Sequence, residues 1–166
     1  YPDGYYFTDD ITDRAIAMIK AAKASEPSKP FLLYMAHGAV HAPLHAKADD
    51  IAAQRGRYDD GWDELRSTRF ARMKDLGILE PDTVLAPRNS EPGNDVAPWE
   101  DLGEGQQRLA ARYMEIYAAM VANIDDNVGR LVAELDAMGE LDDTIIVFTS
   151  DNGASREGEV DGTGSY

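Results

Sequence analysis

The chain has 166 residues, a formal charge of −15 and no cysteine. That length is enough for one domain with a core. The charge disfavours nucleic acid and anionic membranes as partners, and the lack of thiols excludes disulfides and thiolate metal sites.

Thr8 can N-cap a first helix beginning at Asp9 and Asp10, whose charges suit a positive helix terminus. Ile11, Ala15, Met18 and Ile19 mark its buried side, and Pro27 ends it. Phe31-Leu32-Leu33-Tyr34-Met35-Ala36 then reads as a strand buried on both faces. All three histidines follow, as His37, His41 and His45. The spacing imitates one face of a zinc-binding helix, but Gly38 and Pro43 oppose a helix, so a loop leaving the strand is expected.

Residues 46–105 form an excursion. Helices are expected over 48–54 and 60–76, with an irregular surface connection from 81 to 98, rich in Pro, Asn, Asp and Gly. Arg55, Arg57, Arg66, Arg69, Arg72 and Lys74 alternate with acids and read as a solvated helix face. Trp62 and Trp99 are expected to pack the excursion onto the main body.

A long helical stripe comes next: Tyr117, Met120, Val121, Ile124, Val128, Leu131, Val132, Leu135 and Met138, closed by Gly139 at the C′ position. It reads as core packing. Ile145-Ile146-Val147-Phe148 then forms a second buried strand, ending in Asp151-Asn152-Gly153. Asx-Gly is ordinary turn chemistry. At the carboxyl end of a strand in an open α/β sheet, though, it also offers hard oxygen donors to a metal. His41 is placed on the same sheet edge.

The order Pro30 to Tyr34, His41-Ala42-Pro43-Leu44, Asp125 with Val128-Gly129-Arg130-Leu131, and Thr144 to Gly153 resembles the type I sulfatases. The likeness is to the bacterial arylsulfatases of the alkaline phosphatase superfamily in particular, and it covers nearly the whole chain. It implies an α/β fold: a sandwich with a mostly parallel central sheet flanked by helices, residues 1–166 being one segment of a catalytic domain and 46–105 an insertion within it. It implies that Asp151 and Asn152 are metal ligands for Ca2+, with Mg2+ as the alternative. It also implies that His41 is the active-site histidine that contacts sulfate or assists proton transfer, in keeping with an imidazole pKa near neutrality. No role passes to His37 or His45.

The family nucleophile is a formylglycine made from cysteine or serine in a Cys/Ser-x-Pro-Ser-Arg motif. Ser25-Glu26-Pro27-Ser28-Lys29 is rejected as that motif: it ends in lysine, lies between a helix and a strand, and directly precedes the histidine loop. The first aspartate pair of the family's metal site is missing as well. The chain therefore reads as an internal segment of a longer enzyme acting on a small sulfate ester, with its nucleophile and remaining ligands supplied by the rest of the parent chain. A phosphodiesterase or phosphonate hydrolase of the same superfamily, or a non-catalytic acidic cation-binding domain, are the other readings. Nothing resembles a signal peptide or membrane span, which leaves bacterial periplasm and cytoplasm equally open. The glycine-rich stretch 162–166 reads as a loop.

Overall fold

The computed structural model describes residues 2–90, 92 and 95–153, so the stretch 162–166 lies outside the described residues. Among the described residues four α-helices appear in order: α1 (Phe7–Ser25), α2 (Ala48–Ala53), α3 (Gly61–Asp75) and α4 (Glu104–Ala137), with a 3-10 turn at Trp99–Asp101 before the last. The long α4 is the spine, and α1, α2 and α3 each pack against it.

Helix α1 begins two residues before Asp9. Tyr6, in extended conformation, is its N-cap, and the Tyr6 carbonyl accepts the Asp10 N–H at 3.1 Å. Thr8 is not the cap, because it is buried within the first turn, where its carbonyl accepts the Thr12 hydroxyl at 2.9 Å. At the far end, α1 stops at Ser25, and Lys29 bonds back to Glu26 through its N–H (3.0 Å) and its ammonium (2.9 Å). Ser25 to Lys29 is thus a helix-terminal turn.

The end of α4 matches the sequence reading. Gly139 takes φ +71°, its N–H donates to Asp136 O (2.9 Å), and the Glu140 N–H donates to Leu135 O (2.9 Å). These two bonds form a Schellman closure, and they satisfy carbonyls that the helix itself leaves open.

The buried face of α4 coincides with the expected stripe only in part, fully at Met120 and Leu135. Ala111, Glu115, Ala119, Asn123 and Asn127 recur every four residues and are all buried, together with Met120 and Leu135. Of the expected apolar stripe, Tyr117 is 38 % exposed and Val121 46 %. Helix α1 buries Thr12, Ala15 and Ile19.

The parallel sheet is also absent among the described residues. Residues 31–36 and 145–148 are neither helical nor paired in a ladder. In the first, exposure alternates, with Leu32 and Tyr34 open to solvent and their neighbours half-covered, the period of two of a strand with only one face covered. In the second, all four apolar side chains are exposed. The physical reason is that a strand's backbone groups are satisfied only by a neighbouring strand, and the described residues supply none.

Within the excursion the segment that follows α3 is pinned back onto that helix, and the two tryptophans meet each other instead of packing onto the main body. Trp62 and Trp99 stack edge-on at 4.9 Å, and Trp62 Nε1 donates to Ala97 O at 3.1 Å. Asp63 accepts Arg88 Nη2 (2.7 Å) and the Trp99 N–H (2.8 Å). Gly61 makes this possible: at φ +80° it lies so close under the Trp99 indole that a Cβ would come within 2.1 Å of it.

Candidate functional site

The histidine loop, residues 37–45, is a loop as expected, and it sits on the N-terminus of α1. A Cβ built on Gly38 would be 3.7 Å from the Phe7 ring. The His41 N–H donates to Gly38 O at 3.1 Å and tightens the turn. At the loop's exit, the Tyr6 hydroxyl donates to His45 O at 3.1 Å, and the Tyr6 and His45 rings meet edge to face at 5.7 Å. Burial pushes the Tyr6 phenol up from its ordinary 10.0, so it remains a donor at neutral pH.

His41 is exposed, and its Nδ1 lies 2.8 Å from Ala42 O. A carbonyl can only accept, so Nδ1 carries the hydrogen, and Nε2 is the ring atom with the basic lone pair. His37 differs: burial holds its imidazole below the ordinary 6.5, and its Nδ1 has no hydrogen-bond partner among the described residues.

Behind the loop's exit lies a polar network that sequence reasoning missed. Asp9 Oδ1 accepts Asn127 Nδ2 at 2.8 Å and Asn123 Nδ2 at 3.1 Å, while its Oδ2 accepts Lys47 Nζ at 3.0 Å. Asn123 and Asn127 are each 1 % exposed. Asn127 is held in turn by Asn123 O (2.8 Å) and by Arg130 Nη1 on its Oδ1 (2.9 Å), and Arg130 also pairs with Asp13. Burial opposes the charge on Asp9, yet hydrogen bonds from Asn127, Lys47 and Asn123 outweigh it and hold the carboxyl below its ordinary 3.8. The signal available in the sequence was the pair of asparagines four apart beside an apolar stripe. Polar side chains that recur on one helix face must either be solvated or satisfy one another.

Asp151 and Asn152 are both exposed. Asn152 donates its amide nitrogen to Gly153 O, which leaves Oδ1 as an acceptor of the kind a hard cation takes. The donor chemistry of the pair suits Ca2+ or Mg2+. No group of three or more His, Cys, Asp or Glu side chains converges on a metal position among the described residues, so His37, His41, His45 and Asp151 are not gathered into one cluster.

The sulfatase family model matches residues 1–166. The chain belongs to the sulfatase family. An uncharacterized sulfatase of Schizosaccharomyces pombe is 38 % identical over 155 residues, covering 93 % of this chain and 26 % of the relative. An arylsulfatase of Klebsiella aerogenes is 34 % identical over 154 residues, covering 93 % and 32 %. A multifunctional alkaline phosphatase superfamily protein of Trinickia caryophylli is 30 % identical over 162 residues, covering 92 % and 27 %. The chain therefore spans about a quarter to a third of the length of these sulfatase relatives.

Proposed function

We propose that this chain is part of a longer enzyme that hydrolyses sulfate esters, with aryl sulfates as the substrate class. One observation carries the reading: the sulfatase match runs through a chain in which His41-x-Pro43 and Asp151-Asn152 each follow an apolar segment of strand character. In the whole enzyme those two segments would pair with strands from the rest of the chain, in a mostly parallel sheet with both sites at its carboxyl edge.

The roles follow from the atoms. With Nδ1 held by Ala42 O, Nε2 of His41 would take up a proton or, once protonated, donate to a sulfate oxygen. Asp151 and Asn152 would supply two oxygens of the roughly six to eight that Ca2+ takes, with Mg2+ as the alternative. When bound, such a cation polarises the sulfate oxygens. The nucleophile, a formylglycine in this reading, would come from outside the chain, which has no cysteine.

An aryl sulfate dye ester tests this in the parent enzyme. His41→Ala should lower turnover by about 10²-fold or more, whereas Ser25→Ala should leave it nearly intact. The 166-residue chain alone should show no turnover above background even with added calcium, because catalytic groups that act as a unit fail together. Full turnover by the His41 variant would remove the histidine from the site. The second reading keeps phosphate diesters or phosphonates as the substrate class, and likeness to a multifunctional alkaline phosphatase superfamily protein is consistent with more than one class. A higher kcat/KM on an aryl phosphate diester than on the sulfate would make that class the principal one.

A further inference from the structure

The histidine loop is gripped at both ends by the first turn of α1. Phe7 lies against Gly38 where the loop begins, and Tyr6 holds the His45 carbonyl where it ends. Two residues on, Lys47 is tied to Asp9 and stands over the Tyr6 ring at 5.8 Å. Asp9 is itself fixed from below by two asparagines on α4 that are nearly inaccessible to water. Between these grips the loop closes on itself through the His41 N–H and Gly38 O.

A carboxylate with this set of partners does more than cap a helix. Capping requires a backbone N–H as donor, and all three donors to Asp9 are side chains of other elements. Asn123 also reaches Asp50 Oδ2 at 3.4 Å, so one of the two asparagines also bonds to α2, the element into which the loop runs. The network therefore joins the rigid α1–α4 pair to the segment on which His41 sits.

We propose that Asp9, held by Asn123 and Asn127 and paired with Lys47, is a positioning residue that sets the histidine loop and thereby the placement of His41. This inference rests on the sulfatase reading of His41 given above. Its energetic logic is that a reacting group displaced by about 1 Å can cost about 10²-fold in rate. In an exposed loop, little but its anchors prevents that displacement.

The experiment is a mutant cycle in the full-length parent enzyme, reading kcat and KM separately on an aryl sulfate, with thermal melts in parallel. Asp9→Ala should lower kcat by about 10- to 10²-fold with KM changed by less than about threefold. Asp9→Asn keeps an acceptor for the two asparagines and should recover part of that loss. Lys47→Met, at a half-exposed position that tolerates change, should fall in between. Combined with His41→Ala, Asp9→Ala should lower kcat no further, because residues that act through one another are not additive. Ile19→Val, in the same helix but away from the loop, provides the control for instability alone and should leave kcat unchanged. Wild-type kcat in both Asp9→Asn and Lys47→Met would overturn the proposal. So would a full additional loss in the double variant, or an equal loss in Ile19→Val. If His41→Ala itself has no effect, the site reading fails, and the Asp9 result then stands apart from it.

Discussion

The α1–α4 pair and the two strand-like segments were both expected to be core, yet they differ sharply in how far this chain completes them. A helix closes its hydrogen bonds within itself, so α4 is finished from Glu104 to its Schellman turn at Gly139. Even its buried polar groups find partners within the described residues, in Asp9, Arg130 and one another. Residues 31–36 and 145–148 have no such means. A strand is completed only by another strand, none is found among the described residues, and Leu32 and Ile145 stand 96 % and 92 % exposed. Tyr117 and Val121, on the half-open stripe of α4, belong with them: it is the apolar side of the spine that lacks a cover. The sulfatase relatives are three to four times longer than the matched region.

The largest expected effect tests this contrast directly. Met120 on α4 is 2 % exposed, so Met120→Ala should cost about 2 to 5 kcal/mol in urea unfolding of the chain. Leu32→Ala should change the same measurement by no more than about 0.5 kcal/mol, since nothing is uncovered by the loss. In the parent enzyme the second substitution should rise to the level of a core deletion. Equal costs for the two in the isolated chain would mean that residues 31–36 are packed after all.

How much could be read in advance follows the same division. The C-terminus of α4 was legible to the residue, because a positive-φ glycine after an amphipathic run is a local signal. The helices of the excursion were legible, but Trp62 and Trp99, expected to pack it onto the main body, stack on each other within it. Thr8 was misread as a cap because the helix begins one residue earlier, at Phe7, which leaves Thr8 buried inside its first turn. The face of α4 was read only in part. Hydropathy ranks Tyr117 and Val121 above Asn123 and Asn127, but an asparagine that meets a carboxylate is buried as readily as a valine. For the strands, composition gave the type of segment, and pairing, which is non-local, decided the outcome.

Acid titration separates the two regions. His37 closes the unpaired segment, and its imidazole is held below 6.5 by burial alone. The unfolded chain therefore takes up this proton first, and stability should begin to decline as the pH falls below about 6.5. Asp9 and Glu115 belong to the helical half. Although burial opposes their charge, hydrogen bonds and nearby cations lower both pKa values overall. Their contribution is fully present above the ordinary carboxylate values of 3.8 and 4.5 and is lost as the pH falls through the lower folded values. Urea midpoints measured against pH should thus fall in two stages, and His37→Asn should remove the upper one. A single stage in the carboxylate range for the unaltered chain would show that the loop does not contribute to stability.

The smallest effect asks whether the helical half is as complete as its hydrogen bonds imply. Gly129 lies inside α4 with nothing within 4 Å of a Cβ built upon it. Glycine at such a position costs a helix roughly 0.5 to 1 kcal/mol relative to alanine, because the unfolded backbone is freer. Gly129→Ala should therefore stabilise this chain by about that amount, read as a small rise in the urea midpoint at unchanged slope. In the parent enzyme the sign is informative. The same gain there would mean that Gly129 faces solvent in both settings and that α4 needs a cover only along Tyr117 and Val121. A loss in the parent, beside a gain in the chain alone, would place another element against Gly129 and make close approach the reason for a glycine. A loss in both would contradict the open space around it and with it the claim that this face of the helix stands finished.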